Sequence, residues 1–297
     1  MGLKKYLYNT SKADTCLNIA SVSMICDENP EKNLIKMTNT IEDIKANHSH
    51  VELIVFGETI HGWFFNHDKT AEYHHNIAET ISGKTTQLMS ELAIKNNVYI
   101  CFGINEKEEN RFYNSQVLVD TKGDVTAVHR KTKMREKFFT PGEVLVTIAK
   151  IKELKTGIVI CYDVQAKEVN KALRKSNLDL IIHSLADDED PREFGIGYLA
   201  RSYYAWIVNA NRYGEEGGHY WNGWITVTNP MGEICAKGKE KEQYLYYEIG
   251  IVKQNYIKRS FRKMYVRTAR VVHVIKNIDM ALATVFDRSK VKKSNNR

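Results

Sequence analysis

The feature that most constrains this chain is a series of short, nearly unbroken apolar runs separated by stretches with helical periodicity. Residues 51–56 and 157–160 are apolar or nearly so and too short for helices, so they read as buried strands, and 178–183 and 207–211 read as strands too. Between such runs lie amphipathic segments. In 33–45, Leu34, Met37, Ile41 and Ile44 recur at helical spacing, and Pro30 just ahead suits a helix start. Residues 78–95, 167–174 and 196–204 read as further helices. Further strands are expected at 17–25, 98–104, 115–120, 124–129, 224–227 and 244–252, with Thr121-Lys122-Gly123 as a hairpin turn. Strands and helices that alternate this regularly predict an α/β protein built on layered sheets. With no repeat and no low-complexity linker, residues 1–270 are expected to form one domain, and residues 271–297 an appended C-terminal arm with a basic tail.

Composition narrows the classes of function. The net charge of +7 comes partly from stretches 258–270 and 288–297. No RNP sequence or zinc-finger spacing accompanies it, so solvated positive faces are expected rather than a nucleic-acid surface. The five cysteines are odd in number, widely spaced and contain no C-x-x-C, which argues against a disulfide framework or a zinc site. Six histidines fall at 48, 50, 61, 67, 74 and 75 without a metal-ligand pattern, and read as surface and loop residues. No secretory signal is visible, no apolar run approaches the ~20 residues that span a bilayer, and Tyr6 stands where a myristoylation motif wants Ser or Thr. A cytoplasmic protein without membrane contact is expected.

Three side chains share an address at the ends of expected strands. Cys161 follows Gly157-Ile158-Val159-Ile160 and precedes a helical segment. In α/β proteins such positions open onto the ligand crevice, and a helix start favours thiolate. A buried structural cysteine is the alternative. Glu58 follows the run 51–56, with Trp63, Phe64 and Phe65 nearby as apolar walls that would raise its pKa and suit it to act as a base. Lys131 follows the strand 124–129 and has the charge to stabilise an oxyanion. Taken alone, Glu58 reads rather as a solvated loop glutamate and Lys131 as one more surface lysine; together the three supply nucleophile, base and electrostatic partner.

Here the chain resembles the nitrilase, or carbon–nitrogen hydrolase, superfamily. Ile158-Val159-Ile160-Cys161-Tyr162-Asp163 resembles the nucleophile motif, Glu52-Leu53-Ile54-Val55-Phe56-Gly57-Glu58 the glutamate motif, and His129-Arg130-Lys131-Thr132 the lysine motif. Asn33-Leu34, Gly62-Trp63, Asn209-Ala210-Asn211-Arg212-Tyr213-Gly214 and Asn229-Pro230-Met231-Gly232-Glu233 follow in the family's order, over residues 15–250. The resemblance implies a four-layer α-β-β-α sandwich, assembly into a homodimer or larger homo-oligomer, and no metal or organic cofactor. It also implies attack by Cys161 on a small-molecule nitrile, amide or carbamoyl carbon. Glu58 is the implied base, Lys131 the implied oxyanion partner with the backbone N–H of Tyr162, and Glu136 an implied second glutamate.

The departures from the pattern bear on the pocket. Gly57 stands in place of a proline, which predicts a freer backbone ahead of Glu58. Val164-Gln165-Ala166-Lys167 replaces the usual continuation after Asp163. Tyr162-Asp163, rather than Trp-Glu, resembles the amidase and carbamoylase side of the superfamily. The expected function is therefore hydrolysis of a small amide or N-carbamoyl compound through a cysteine thioester. N-acyl transfer on the same fold, or a non-catalytic interaction protein, are the alternatives. His183 ends the strand 178–183 and is expected to line the pocket with Trp63; a Cys–His pair is the rival mechanism. Asp187 and Asp188, followed by Glu189 and Asp190, read as a solvated loop or as a negative rim that would attract an amine-bearing substrate.

Overall fold

The computed structural model describes residues 15–65, 70–190 and 195–251, together with Ala13 and Met264. The chain divides into two units, Thr10–Val252 on the one hand and Met1–Asn9 with Lys253–Arg297 on the other. The following concerns the first. The basic stretches at 258–270 and 288–297, and the expected arm from 271, lie outside the described residues.

Elements follow in the order β1 (Thr15–Ile25), α1 (Pro30–Asn47), β2 (Leu53–Val55), α2 (Thr70–Asn76), α3 (Lys84–Asn96), β3 (Tyr99–Glu108), β4 (Arg111–Val119), β5 (Val125–Arg130), β6 (Thr147–Ile151) and β7 (Leu154–Ile160). A 3-10 turn (Cys161–Gln165) leads to α4 (Lys167–Lys175), β8 (Leu180–Ser184), α5 (Ile196–Tyr203), β9 (Trp206–Glu216), β10 (His219–Asn222), β11 (Thr226–Thr228), β12 (Ile234–Lys237) and β13 (Gln243–Ile251). The strands hydrogen-bond in the order β5-β4-β3-β2-β1-β9-β8-β7-β6. β1 and β9 pair only through Ser23–Ile25 and Asn211–Tyr213. Away from that seam β1 pairs with β13 and β9 with β11, so the network opens into two facing sheets.

Three apolar layers follow. Leu17, Ile19, Leu53 and Val55 of the first sheet meet Ile158, Leu180, Ile182 and Val208 of the second. The outer face of the first sheet packs Ile54, Phe56, Ile100 and Phe102 against Leu34, Met37, Ile41 and Ile44 of α1 and Met89 and Leu92 of α3. The outer face of the second packs Val159, Ile181 and Ile207 against Val169 and Leu173 of α4 and Leu199 of α5. This is the α-β-β-α sandwich, and the alternation of side chains along β2, β7 and β8 between inner and outer layers explains why these runs are apolar throughout. The buried stripe of α1 is the one that the spacing predicts, and Asn29 caps the helix by accepting from Glu31 N at 2.9 Å, with Pro30 opening it.

Some boundaries differ from expectation. The helix expected from 78 begins at Lys84, because Glu79 bridges to β3: its N–H donates to Asn105 and its carbonyl accepts from Lys107. The Glu79 carboxylate then accepts from Thr85 N (2.8 Å) and Oγ1 (2.7 Å), capping the helix that follows. The hairpin between β4 and β5 turns at Gly123, whose φ of 84° favours glycine, while the Asp120 carboxylate accepts from Lys122 N and Asp124 N. α2, β6, β10 and β12 are additional to the expected elements.

β1, β2 and β3 are parallel, β5 returns to their direction through the antiparallel β4, and β7, β8 and β9 are parallel to one another and to β1. The C-terminal ends of β2, β5, β7 and β8 therefore emerge at one edge of the sandwich, which is where Glu58, Lys131, Cys161 and Asp187 follow their strands.

The layering predicts where stability resides. Ile158, fully buried between the sheets, should lose about 2–5 kcal/mol on replacement by Ala, whereas Ile35, 62% exposed, should change stability by less than about 0.5 kcal/mol. Urea denaturation of the two variants checks the ordering.

Candidate active site

Two of the strand-end residues meet in a buried contact. Lys131 Nζ donates to Glu58 Oε1 at 2.7 Å, with Glu58 inaccessible and Lys131 only 2% exposed. Asn114 of β4 donates to the same oxygen at 2.6 Å, and its carbonyl accepts from Lys131 N at 2.8 Å. The other carboxylate oxygen accepts from Ala186 N at 3.1 Å. Burial raises the Glu58 carboxyl above its usual range despite the adjacent ammonium. Burial works against the charged form of Lys131 too, but the Glu58 and Glu136 carboxylates outweigh it and hold the amine charged. Glu136 Oε2 lies 3.7 Å from Lys131 Nζ, so a second carboxylate flanks the lysine.

Cys161 enters from the second sheet. It ends β7 and starts the 3-10 turn with φ 38°, a left-handed conformation that an L side chain rarely adopts and that lifts the residue out of the strand line. Its Sγ faces Ala186 O at 3.8 Å and Asp187 Oδ2 at 3.9 Å. Ala186 thus touches Glu58 through its N–H and the thiol through its carbonyl. Burial, then the Glu58 carboxylate, push the thiol well above its ordinary value, so it rests protonated. Tyr162, the next residue, lies in the first turn, where backbone N–H groups have no partner within the helix. Its ring is partly exposed beneath the Arg135 guanidinium, 4.8 Å away.

His183 is adjacent but differently engaged. Its Nε2 lies 3.0 Å from the carbonyl oxygen of Cys161, not from the thiol, and its Nδ1 is 3.5 Å from Asn209 Nδ2. A carbonyl only accepts, so Nε2 carries the proton; burial lowers the ring's pKa and keeps it neutral. This histidine supports the backbone of the elbow. Trp63 packs against the core between the first sheet and its helices, and its indole N–H donates to Cys26 O at 2.9 Å. Phe64 is the aromatic near the pair, its ring centre 5.9 Å from Lys131 Nζ. The acids that read as a solvated loop or a negative rim have different surroundings. Asp187 turns to the thiol, while Asp188 pairs with His219 at 3.4 Å and Asp190 with Lys237 at 2.8 Å.

Three further residues hold the site together. Asp163 Oδ1 accepts from Thr132 N, Thr132 Oγ1 and Lys133 N at 2.8–2.9 Å, and Oδ2 lies 2.9 Å from His129 Nε2 and accepts from Ile160 N at 3.0 Å. It ties the lysine loop to the cysteine elbow. Arg212 of β9, fully buried, pairs with Glu216 at 2.8 Å and donates to the carbonyls of Glu58 (2.7 Å), Thr59 (3.0 Å) and Gly62. Thr59, like Cys161, has a positive φ, 43°. Gly57 is there for space rather than freedom: a Cβ would lie 3.0 Å from Leu185 O and from the Asn211 carbonyl carbon. The histidines at 61 and 74 are buried rather than on the surface, within reach of the carbonyls of Ile77 (3.1 Å) and Phe64 (2.7 Å); His67 lies outside the described residues. Among the described residues no cluster of His, Cys, Asp and Glu is arranged to hold a metal, and no helix is long and apolar enough to cross a membrane. All five cysteines are unpaired.

A family model described as Carbon-nitrogen hydrolase matches residues 18–253 of this sequence. The chain belongs to the carbon–nitrogen hydrolase family. It is 31% identical over 229 residues to a nitrilase of Pyrococcus abyssi, covering 75% of this chain and 83% of the relative. It is 22% identical over 253 residues to an N-carbamoylputrescine amidase of Solanum tuberosum, covering 76% and 83%. A carbon–nitrogen hydrolase of Helicobacter pylori G27 shares the fold with a TM-score of 0.73, at 20% identity over 86% of this chain and 93% of that one. The protein is a hydrolase of the nitrilase superfamily, with that superfamily's sandwich.

Within this hydrolase the Asp163 clamp has a testable signature. Although burial alone would raise it, the hydrogen bonds from His129 and the backbone N–H groups of Ile160 and Lys133 lower the Asp163 carboxyl below its ordinary value. A depressed folded-state pKa means stability that is present above about pH 4 and lost as pH falls through the folded value. Asp163→Asn should therefore destabilise the protein by about 2–4 kcal/mol at neutral pH, with the gap to the unmodified protein narrowing below about pH 4. Thermal denaturation across pH checks both the size and the sign.

Proposed function

We propose that this hydrolase cleaves the C–N bond of a small amide or N-carbamoyl compound through a thioester on Cys161. The observation that carries the reading is the buried Glu58–Lys131 contact beside a strained cysteine, with Ala186 touching both the carboxylate and the thiol. A protonated thiol needs a base at hand, and Glu58, held as a carboxylate by an ammonium and two N–H donors, is that base.

The chemistry runs in two halves. Glu58 takes the Cys161 proton as sulfur bonds to the carbonyl carbon, and the oxygen's developing charge is met by Lys131 and the Tyr162 N–H. The C–N bond then breaks and the departing nitrogen takes the proton from Glu58, leaving the thioester. Water attacks that carbon, losing its proton to Glu58; the C–S bond breaks and the proton returns to sulfur. Glu136, 3.7 Å from the lysine, keeps Lys131 charged and placed. Tyr162-Asp163 after the cysteine favours amide or carbamoyl carbon over nitrile.

Incubation with a library of amides and carbamoyl compounds, read by intact mass, should reveal an acyl adduct on Cys161. Cys161→Ala should lower turnover by on the order of 10⁴ or more, and Glu58→Gln and Lys131→Arg should fail similarly because the set acts as a unit. His183→Ala, which loosens the elbow without removing a proton carrier, should retain more activity than either. A severe loss in His183→Ala with a mild one in Glu58→Gln would replace this mechanism with a Cys–His one.

A further inference from the structure

Asp187 is the one acid of its loop turned toward the nucleophile, and the reading above gives it no part. Its Oδ2 lies 3.9 Å from Cys161 Sγ, while Oδ1 accepts from Glu189 N at 2.9 Å. The loop is aimed by Asn211 of β9, whose side chain accepts from Asp187 N at 3.1 Å and donates to Asp187 O at 2.9 Å. Asp188 and Asp190 have cationic or histidine partners elsewhere, but among the described residues no Lys or Arg pairs with Asp187. Burial, helped by the nearby carboxylates of Glu189, Asp188 and Glu58, pushes its carboxyl up to about 7, as expected of an acid lacking a counter-charge. Near the thiol and the lysine, then, lie the carboxylates of Glu58, Glu136 and Asp187, and among the described residues the first two pair with the ammonium of Lys131 while Asp187 faces the thiol.

We infer that Asp187 is a specificity-determining residue that binds a protonated amine on the substrate, close to the scissile carbonyl. The inference rests on the amide-hydrolase reading and adds the substrate class. Distance sets where the amine sits. A carbonyl carbon ready for attack lies about 3–3.5 Å from sulfur, and an ammonium lies about 2.8 Å from its carboxylate. Sulfur and Asp187 Oδ2 are 3.9 Å apart, so side-by-side approach separates carbon and nitrogen by a similar span. Two or three bonds cover it, which describes an α- or β-amino amide. The same carboxylate repels a substrate bearing an anion at that position, since like charges brought together out of water are strongly unfavourable.

Three amides of similar size separate charge from shape: β-alaninamide (cationic), butyramide (neutral) and succinamate (anionic). Binding is measured by calorimetry in Cys161→Ala protein, so the result does not depend on turnover. β-Alaninamide should bind on the order of tenfold to a hundredfold tighter than butyramide, with succinamate weakest, and Cys161→Ala/Asp187→Asn should bind the first two alike. In the protein with its cysteine intact, Asp187→Asn should lower kcat/KM for β-alaninamide by the same factor and leave butyramide within about twofold. Equal affinities for the three amides, no binding of any, or a preference that survives Asp187→Asn overturns the inference. An equal loss of kcat/KM on both substrates also overturns it, assigning Asp187 to the thiol's proton instead. If the cationic preference in binding holds while no amide is turned over, the hydrolytic reading fails and the recognition role stands.

Discussion

The structure of the site depends on placing a carboxylate and an ammonium together where water does not reach. Glu58 is inaccessible and Lys131 nearly so. Taking either charge out of water alone costs several kcal/mol, and attraction between the two offsets this only when the remaining hydrogen-bond capacity is met. Asn114 of the first sheet and Ala186, just past β8 of the second, supply the further donors to the carboxylate. Because those donors come from different sheets, the ion pair is satisfied only when the sandwich closes in its native register at this edge. Ser184 Oγ, donating to Phe56 O at 3.1 Å, and Glu58 N, donating to Leu185 O at 3.1 Å, draw the same edges together.

Closing the edge leaves strain on both sides of it. Cys161 and Thr59 have positive φ, at about 1–3 kcal/mol each, and persist only because their surroundings over-determine them. Two buried polar clamps do this. Asp163 binds the elbow from below through Ile160 N and reaches across to the lysine loop, so cysteine and lysine cannot move independently. Arg212 gathers the carbonyls of Glu58, Thr59 and Gly62 around the sharp bend after Glu58. Gly57, set against the Asn211 backbone, permits a close approach that a Cβ, 3.0 Å from the Asn211 carbonyl carbon, would crowd.

How much of this could be read in the sequence follows from the range over which each feature is determined. The α/β class, the apolar runs and the stripe of α1 depend on neighbours a few residues apart, and periodicity exposes them. Glu58, Lys131 and Cys161 stood out because an ionisable group just past a buried run is itself a local pattern. The clamping roles of Asp163 and Arg212 did not: both lie in stretches that resemble family motifs, but the roles rest on contacts 30–34 and 150–154 residues away that no local pattern marks. Trp63, Phe64 and Phe65 look equivalent in sequence, yet only the tertiary fold sends the indole toward Cys26 and leaves Phe64 near the lysine. Helix propensity likewise misplaced the start of α3, since Glu79 gives its backbone to β3 and its carboxylate to the helix cap. The acids at 187–190 illustrate the same limit: only the positions of Lys237 and His219 distinguish Asp187 from its neighbours.

In the proposed reaction the buried pair is also what lets charge move at little expense. Before attack, the negative charge lies on Glu58 and is matched by Lys131. When Glu58 takes the thiol proton it becomes neutral, and Lys131 keeps only the more distant Glu136, 3.7 Å away, as a counter-charge, which is unfavourable for a buried cation. The oxyanion that forms as sulfur bonds to carbon removes that penalty, because it appears beside the same ammonium. Total charge in the pocket is unchanged by the step; the negative end merely transfers from carboxylate to substrate oxygen. A thiol pushed above its ordinary pKa is no handicap under these conditions. Loss of the Cys161 proton to solvent would set a thiolate beside a still-negative Glu58, whereas its transfer to Glu58 neutralises the carboxylate and avoids that pair of anions. The arrangement therefore favours a nucleophile that stays protonated until a carbonyl arrives, and it explains why the lysine is tethered to the base rather than to the sulfur.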